Sequence, residues 1–517
     1  MTSTGGLTSK PPTHSILIHF VNTNRNWEIT LKVLFISSEV SPFSRTGAAG
    51  DFTNSFCKAL KSLGHEVRIV TPRYSTIRER RFGLRDVSRL TALKIRVGER
   101  EIACSVKSGF LVGSKVQVYF LDCPGIFPRP RPEQDCRNGA EKGDIHRGFA
   151  LLNHAALQLM TLLNWYPEVI HCNGWQTALT PYLLKRRADY RECYSKAFIV
   201  VQPFSLSNHT LFNPSKAEDM GILPEEVNID GLLDCEGGVS FLKAGLTLAD
   251  KVITINSKLL EEANLQIPCE SYLMELLKNR RDTLHYFKAG VDLDEWDPST
   301  DPKIAHQYQS ENLEEGKAGN RATLRRRYKL EEAPDVPIVG MISRLIDQTT
   351  LEKINQNSAQ TFTAPMKFLV SGIKDPEREA LLRRWSESYQ KQMTVVFTGS
   401  EAVERQIIAG SDIFVLPVYN EASRRYLAYV MKYGTIPIIC DHHEMLEMIS
   451  ESGFPDGYPF AFPSGRITGF TKVLKQVEKI FLRKPAWLDL CRRMMEPDFS
   501  WEATAARYVE LFTPKGD

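Results

Sequence analysis

This 517-residue sequence lacks the patterns of membrane-spanning, zinc-binding and disulfide-stabilised proteins. It contains no run of about 18 apolar residues, so no segment is long enough to cross a bilayer as a helix. Its ten cysteines are scattered singly, without a Cys-x-x-Cys pair, which argues against a zinc site and against a disulfide framework. We therefore expect free thiols and a reducing compartment, the cytoplasm.

An excess of charge of one sign is missing as well. Lysine and arginine number 65 and aspartate and glutamate number 62, which leaves a net charge of +3. So small an excess argues against a dedicated nucleic-acid binder and against a polybasic membrane protein, and we expect neither nucleic acid nor a membrane as a partner. With 42% hydrophobic and 25% charged residues, the composition is that of a globular protein of about two to four domains.

Residues 1–30 differ from the rest of the chain. The opening MTSTGGLTSKPP has no helical or strand periodicity, and the apolar stretch HSILIHFV is too short for a secretory signal. We predict a disordered leader or a misplaced translation start.

A regular pattern begins at Leu31. The apolar run LKVLFIS predicts a parallel strand covered on both faces, and EVRIVTP predicts its neighbour. Between them lie a polar loop, Ser41–Asp51, and a helix that ends near Gly64. The right-handed crossover of such a unit brings the loop to the carboxyl edge of the sheet. One face of the helix is apolar: Phe52, Phe56, Ala59, Leu60 and Leu63.

A second series of short strands begins near Pro337, with VPIVGMIS, MKFLVSG, MTVVFTG, DIFVLPV and TIPIICD. Two successive βα series predict an α/β protein of two doubly wound, Rossmann-like domains that face each other across a central cleft. We place the first domain at 31–285 and the second at 286–495. A final helix in 496–517 is expected to pack back on the first domain.

The residues also carry a family likeness. LKVLFISSEVSPFSRTGAAGD resembles the opening of the bacterial glycogen synthases and plant starch synthases, glycosyltransferase family 5. SFLKAGLTLADKVITINS is similar to their FLKAGI…ADKVTTVS stretch, and GMISRLIDQ to their VSRLxxQKG motif. Seven such blocks occur in unchanged order from about Leu31 to Phe512.

The resemblance implies a GT-B fold and an ADP-glucose:α-1,4-glucan glucosyltransferase. Such enzymes move glucose from ADP-glucose to the non-reducing end of an α-1,4-glucan, as in glycogen biosynthesis, and retain the anomeric configuration. The second domain would hold most of the donor and the first the glucan. The resemblance implies no metal and no cofactor.

Matches to the family's motifs define a predicted site. Arg344 stands at the Arg of the Ser-Arg-Leu motif, which pairs with the donor diphosphate through two N–H groups. Glu421 aligns with the Glu that the family uses close to the donor sugar, and is the candidate catalytic carboxylate. Arg45 replaces a Lys of the first-domain loop and keeps its charge for the diphosphate. The other cleft residues carried over are Thr46, Gly47, Asp51, Asn173 and Trp175.

Other positions depart from the family. A second diphosphate Lys is Thr349 here, and the active-site His is Gln202. The family's Pro-Cys-Gly-Leu-Thr-Gln stretch, whose backbone N–H groups cradle phosphate at a helix start, reads Ala-Ser-Arg-Arg-Tyr-Leu. Within it, Arg424 and Arg425 either supply replacement charge or fill the pocket. Smaller departures are Thr350 for Gly, Gly174 for Asp and Ala289 for Asn.

Two glycine-bearing loops have changed too. The Thr-Gly-Gly-Leu loop that follows a strand of the second domain has become His442-His443-Glu444-Met445, which puts bulky side chains where the backbone would approach the donor. No third metal ligand is evident beside the two histidines, so we expect no metal site. In the first domain Ala48 replaces a glycine and would be strained if that position needs a positive φ.

Two hypotheses follow. The first is a retaining glucosyltransferase with an eroded donor site, and the second is a catalytically inactive relative that binds α-glucan or assists an active paralogue. A third, weaker hypothesis is a glycosyltransferase with a different donor, because the donor-side loops changed most.

Overall fold

The computed structural model describes residues 30–127, 145–206, 210–228, 231–255, 268–330, 333, 335–362, 364–372, 375–454, 457–463 and 468–512. All but the last residue of the predicted leader, 1–30, lies outside this part of the chain. The chain divides into two compact units. Within the described residues, no helix is both long enough and apolar enough to span a membrane.

The first unit contains the described residues up to Thr254, those of 268–287 and those from Glu502 onward. Its strands are β1 (Lys32–Ser37), β2 (Glu66–Pro72), β3 (Arg85–Asp86), β4 (Leu93–Val97), β5 (Arg100–Phe110), β6 (Gln117–Asp122), β7 (Val169–Asn173), β8 (Phe198–Gln202), β9 (Asp234–Cys235), β10 (Gly238–Val239), β11 (Lys251–Thr254) and β12 (Leu284–Tyr286). Its helices before the second unit are α1 (Ala48–Ser62), α2 (Glu79–Phe82), α3 (Ile145–Leu162), α4 (Thr180–Arg186), α5 (Ala188–Cys193), α6 (Pro224–Asn228), α7 (Phe241–Leu248) and α8 (Pro268–Asn279).

The main sheet of the first unit has the order β12-β11-β8-β7-β1-β2-β6-β5-β3, and β4 also pairs with β5. The strands from β12 to β6 are parallel, whereas β3, β4 and β5 form antiparallel pairs at one edge. β1 is buried on both faces from Val33 onward, and α1 lays Phe52, Phe56 and Leu60 against one of them, as the helical periodicity predicts. β1 lies between β2 and β7, so the chain runs outward in both directions from it. The loops after β1 and β7 therefore lie at a topological switch point, where open α/β sheets bind ligands.

The second unit runs from Lys288 to Trp501. Its strands are β13 (Ile338–Ile342), β14 (Lys367–Ser371), β15 (Met393–Val396), β16 (Ile413–Leu416), β17 (Ile436–Asp441) and β18 (Ala461–Pro463). Its helices are α9 (Leu313–Arg327), α10 (Gln348–Gln356), α11 (Ser358–Thr361), α12 (Pro376–Ser388), α13 (Glu401–Gly410), α14 (Glu421–Lys432), α15 (His443–Ser450), α16 (Thr468–Phe481) and α17 (Lys484–Met495). The last helix, α18 (Trp501–Glu510), lies in the first unit from Glu502 onward.

The sheet of the second unit has the order β15-β14-β13-β16-β17-β18, and every pair in it is parallel. Its strands are apolar runs without alternation because helices cover both faces. The switch point lies between β13 and β16, so the turn after β13 and the start of α14 after β16 are neighbours. The predicted α/β class, with two doubly wound parallel sheets, is confirmed.

The expectation of free thiols is wrong at three of the described cysteines, Cys104, Cys123 and Cys235, each of which is disulfide-bonded. Cys104 in β5 and Cys123, the residue after β6, form a disulfide with a Cα–Cα distance of 4.7 Å. The two strands are antiparallel, and the register that pairs Ser105 with Asp122 puts the two cysteines directly opposite each other. Sequence spacing does not show that register, because it depends on how the two strands align.

Candidate functional site

The loop between β1 and α1 is organised around Glu39. Its carboxylate, in a side chain that is 6% exposed, accepts hydrogen bonds from the Thr46 backbone N–H (2.5 Å), the Thr46 hydroxyl (2.7 Å), and the N–H groups of Gly47 (3.1 Å) and Gly50 (3.2 Å). The predicted cleft residues Thr46 and Gly47 thus hold the shape of their own loop. Sequence reasoning missed Glu39, although an acidic residue directly after a buried strand was a usable signal.

The predicted strain at Ala48 does not arise. Ala48 is the first residue of α1, and Gly47 before it has φ −157°, an extended conformation open to any residue. Position 48 does not need a positive φ, because the helix begins at Ala48, inside the stretch 41–51 that the sequence predicted as a loop.

Arg45 and Asp51 pair with each other. The Arg45 Nε–H donates to Asp51 Oδ2 at 3.0 Å, and the terminal guanidinium nitrogen lies 2.8 Å from the same oxygen. Both side chains are well exposed, 66% for the arginine and 46% for the aspartate. An exposed pair of this kind is weak, so an anion in solution can compete for Arg45.

Three other predicted residues of the first unit lie in its interior. The Asn173 side chain, at the end of β7, donates to Ser37, to Thr53 and to the carbonyl of Ala49 at 2.8–3.2 Å, which ties β7 to β1 and α1. Trp175 is 2% exposed. Gln202, at the end of β8, is wholly buried and lies opposite Asn173 in the sheet.

The cation of the Ser-Arg-Leu motif, Arg344, is already paired in the second unit. Arg344 lies in the turn after β13, and its Nε and one terminal nitrogen donate to the two carboxylate oxygens of Glu404 at 2.8 and 2.6 Å. The Glu404 side chain projects from α13 and is 1% exposed. Tyr426 of α14 donates its hydroxyl to the same carboxylate and also contacts Arg344. The hydrogen bonds that Arg344 donates to Glu404 raise the pKa of the Arg344 guanidinium.

The start of α14 is capped by its own residues. The Asn420 side chain accepts a hydrogen bond from the Ser423 N–H at 2.8 Å, and the Ser423 hydroxyl accepts one from the Asn420 N–H at 2.8 Å. This reciprocal capping box occupies the backbone N–H of Ser423, one of the donors that the family motif offers to phosphate, and that of Asn420 before the helix. Glu421, the first residue of the helix, is exposed.

The two adjacent arginines of α14 differ. Arg424 is 7% exposed, donates to the backbone carbonyl of Ala289, and lies 3.9 Å from a carboxylate oxygen of Glu444. Arg425 is exposed. Of the two alternatives that the sequence left open, filling the pocket therefore describes Arg424, whereas Arg425 stays available to solvent.

The loop after β17 is packed with side chains. The His442 ring stacks on the Tyr419 ring with centroids 3.6 Å apart, and the Tyr419 hydroxyl donates to Glu444. His443 begins α15. Burial and this carboxylate raise the pKa of the Tyr419 phenol, so the phenol remains a donor. Aromatic rings and a carboxylate thus occupy the loop where the family pattern has glycines.

The position of the family's second diphosphate lysine, Thr349 in α10, carries no charge. Thr349 is exposed, and the helix is capped by Asp347, which accepts hydrogen bonds from the Thr350 N–H (2.8 Å) and hydroxyl (3.1 Å). A carboxylate next to the position of the missing lysine opposes a diphosphate there.

Comparisons with known proteins agree with the resemblance. The family model for the starch synthase catalytic domain matches residues 32–271. The glycogen synthase of Chlorobaculum parvum is 30% identical over 481 residues, which cover 93% of this chain and 98% of that protein. Glycogen synthase 1 of Methylococcus capsulatus is also 30% identical, over 93% of this chain and 96% of its own length. The chain belongs to the glycogen and starch synthase family.

A solved structure shows the same fold. The catalytic domain of starch synthase IV from Arabidopsis thaliana, bound to ADP and acarbose, matches with a TM-score of 0.63 at 23% identity and covers 94% of this chain and 99% of that domain. The predicted GT-B class is confirmed, and the chain is a glycogen synthase-like glycosyltransferase in fold and family.

In this family member, the second unit brings together Arg344, Glu421 and Arg424 around the start of α14. It also brings in two residues that sequence reasoning missed, Glu404 and Tyr426, and these hold Arg344. Neither gave a clear signal, because Glu404 lies 60 residues from its partner.

Proposed function

We propose that this chain is a glycogen synthase-like retaining glucosyltransferase that takes ADP-glucose as donor and the non-reducing end of an α-1,4-glucan as acceptor. The proposed reaction needs no metal. We further propose that the chain's own side chains close the donor site and reduce turnover far below that of the relatives.

Transfer of the glucose requires positive charge around the leaving diphosphate. Negative charge builds on the leaving diphosphate and must be met by cations and backbone N–H groups already in place. In this chain Arg344 is the cation best placed at the switch point of the second unit, with Arg425 exposed one turn into α14. Glu421 offers the carboxylate for the sugar side.

The proposal rests on one ion pair, in which Arg344 donates hydrogen bonds to both carboxylate oxygens of Glu404. A diphosphate can take the Nε edge of the arginine through two N–H groups only by displacing the carboxylate of Glu404, which is 1% exposed. The second terminal nitrogen lies outside this pair and offers a phosphate a weaker contact. The Arg344 side chain is 38% exposed, so displacing Glu404 costs less than the ~3–5 kcal/mol of a fully buried pair, about 1.5–3 kcal/mol. The donor would therefore bind about tenfold to 150-fold more weakly than to a free arginine.

A second candidate, a non-catalytic protein that binds α-glucan, is favoured by a separate observation. Near the start of α14, Arg424 is held by the carbonyl of Ala289, and the ring of His442 stacks on that of Tyr419. These contacts do not involve Glu404, so releasing Arg344 would leave them in place. If both obstructions act together, the donor does not bind at all while the first unit stays free to bind glucan.

Labelled ADP-glucose with glycogen separates the two candidates. Glu404→Gln keeps the shape of the side chain but removes the charge that holds Arg344, so we expect incorporation at least about tenfold above that of the unaltered chain. Glu401→Gln is the matched control, because Glu401 lies on the same helix and pairs with Arg405 instead.

Other outcomes decide against one or both candidates. Incorporation by the unaltered chain at the rate of the Chlorobaculum parvum enzyme would refute the closed donor site. Glycogen co-sedimentation without turnover in any variant supports the non-catalytic candidate. If neither glycogen nor any nucleotide sugar in a thermal-shift screen binds, both candidates are wrong; a shift with another nucleotide sugar alone indicates a changed donor.

A further inference from the structure

A strip of exposed arginines follows the edge of the first unit. It comprises α2, β3 and their flanks, and we call it the arginine strip: Arg78, Arg80, Arg81, Arg85 and Arg89. All five side chains are exposed, and within the described residues none forms an ion pair.

The two acidic residues within the strip form ion pairs with basic residues outside it. Glu79 pairs with Arg73 and Lys107, and Asp86 pairs with Lys107. From residue 73 to residue 107 the chain has ten basic and four acidic residues, whereas the whole protein has a net charge of only +3. The ten basic and four acidic residues therefore give this segment a local net charge of +6, larger than that of the whole protein.

An apolar tip adjoins the strip. Phe110 and Val112, at the turn between β5 and β6, are 55% and 51% exposed. They lie beside the strip because β3 pairs with β5 at Arg85 and Ser108, and Gly109 packs so closely on Leu84 that an added Cβ would lie 2.8 Å from it. Large apolar side chains at a projecting turn, next to unpaired arginines, are the combination that interfacial membrane binding uses.

We propose that this edge docks the protein on an anionic lipid surface, with the arginines at the headgroups and the apolar tip inserted between them. Two side chains at a turn are too small an apolar area for a stable protein interface, which buries about 800 Å² on each partner. A nucleic acid would use the arginines but leave Phe110 and Val112 in water, so the tip favours lipid.

This proposal departs from the expectation drawn from net charge. A net charge sums over the whole surface, but attraction to a charged membrane acts within about 10 Å, so a local excess decides binding.

Vesicle co-sedimentation of the full-length chain tests the proposal. The probe is a vesicle of phosphatidylcholine with about one third phosphatidylglycerol, compared at low and high salt with a vesicle of phosphatidylcholine alone. We expect binding to the anionic vesicle, weakened by salt and absent from the neutral one. Neutralising Arg80, Arg81 and Arg85 to Gln together should weaken it about 100-fold, because each basic residue at an anionic surface contributes roughly fivefold.

Two further variants complete the test. Phe110→Ser with Val112→Ser should weaken binding about tenfold, since it removes the inserted apolar area. Arg191→Gln with Lys196→Gln removes two exposed charges of the same unit outside the strip and should change binding less than about twofold. Thermal unfolding of each variant shows that it is folded.

Three results would overturn the proposal. They are the absence of binding to the anionic vesicle, equal loss in the Arg191 and Lys196 control, and an unaltered affinity in the Phe110 and Val112 variant. If single-stranded DNA competes fully and its binding depends on the arginine strip alone, the edge recognises polyanions in general and the lipid assignment is wrong.

Discussion

Each unit places a buried carboxylate beside the loop that follows its central strand, but the two carboxylates bind different groups. Glu39 in the first unit holds backbone N–H groups of its own loop, at positions 46, 47 and 50. Glu404 in the second unit holds a side chain, Arg344, and reaches it from a helix 60 residues away. The first contact is local and builds a loop, whereas the second is long-range and neutralises a cation.

The two contacts differ in how readily the neighbouring arginine can bind an anionic ligand. The loop around Glu39 keeps an exposed arginine, Arg45, whose partner is also exposed and weakly held. The turn after β13 presents an arginine whose partner is buried and therefore costly to separate. The first unit thus remains open to a charged ligand, and the second opposes one.

The largest effect is expected when the Arg344–Glu404 pair of the second unit is broken. Arg344→Met leaves Glu404 buried without a cation and should lower the free energy of unfolding of that unit by about 3–5 kcal/mol. Hydrogen exchange of peptides from each unit measures the two stabilities separately. The double variant Arg344→Met with Glu404→Leu should recover most of the loss, and a single variant that costs less than about 1 kcal/mol would contradict the buried pair.

The next effect lies in the first unit only. Replacing Cys104 and Cys123 with Ser removes a bridge that spans 19 residues and should cost about 3 kcal/mol, because the unfolded chain regains loop freedom. A reductant should destabilise the first unit and leave exchange in the second unchanged. Cys193→Ser, at an exposed thiol, is the control and should have no effect.

A smaller effect tests the loop carboxylate. Glu39→Gln keeps the size of the side chain but loses its charge and one acceptor oxygen, so we expect about 2 kcal/mol of lost stability and faster exchange at Gly47 and Gly50. The exposed Glu192→Gln serves as the comparison. Unchanged exchange at the two glycines would mean that the loop keeps its shape without Glu39.

The smallest effect is a pH dependence of the first unit. Burial lowers the pKa of His154 to about 4 and that of His171 to about 3, whereas both are near 6.5 in the unfolded chain. The unfolded state therefore binds more protons below pH 6.5, and stability should fall as the pH decreases from about 6.5 toward 4. At pH 5.5 the loss should be about 1 kcal/mol for each histidine.

Urea unfolding at pH 7.5 and 5.5 measures this dependence. His171→Phe, which keeps a ring stacked on Phe35, should make the stability less sensitive to pH. The same slope in that variant would show that His171 does not titrate on unfolding.

Much of the fold could be predicted because its signals are local. The apolar run of β1 and the helical face of Phe52, Phe56 and Leu60 each lie within one strand or helix. Val33–Ser37 and the three helical residues are buried as expected. The right-handed crossover predicts that the loop after β1 lies at the carboxyl edge of the sheet, but it does not fix the order of the strands. The family could be named because its motifs are continuous stretches of sequence.

The candidate site could be predicted only in part. The positions of Arg344, Arg424 and Gln202 on strand or helix ends followed from the pattern, but their surroundings did not. Whether Arg424 supplies charge or fills the pocket depends on the carbonyl of Ala289, 135 residues away. No periodicity or spacing reports such a contact.

The sequence by itself determined the two doubly wound sheets, their family and the places where loops meet the carboxyl edges, because hydrophobic periodicity and short motifs act over neighbouring residues. Only the tertiary structure decided that Glu404 holds Arg344, that Cys104 faces Cys123 and that the arginine strip has no acidic partner among the described residues. Ion pairs, disulfides and exposure depend on which distant segments the packed chain brings within a few ångströms, and charge chemistry at a site is set at that distance.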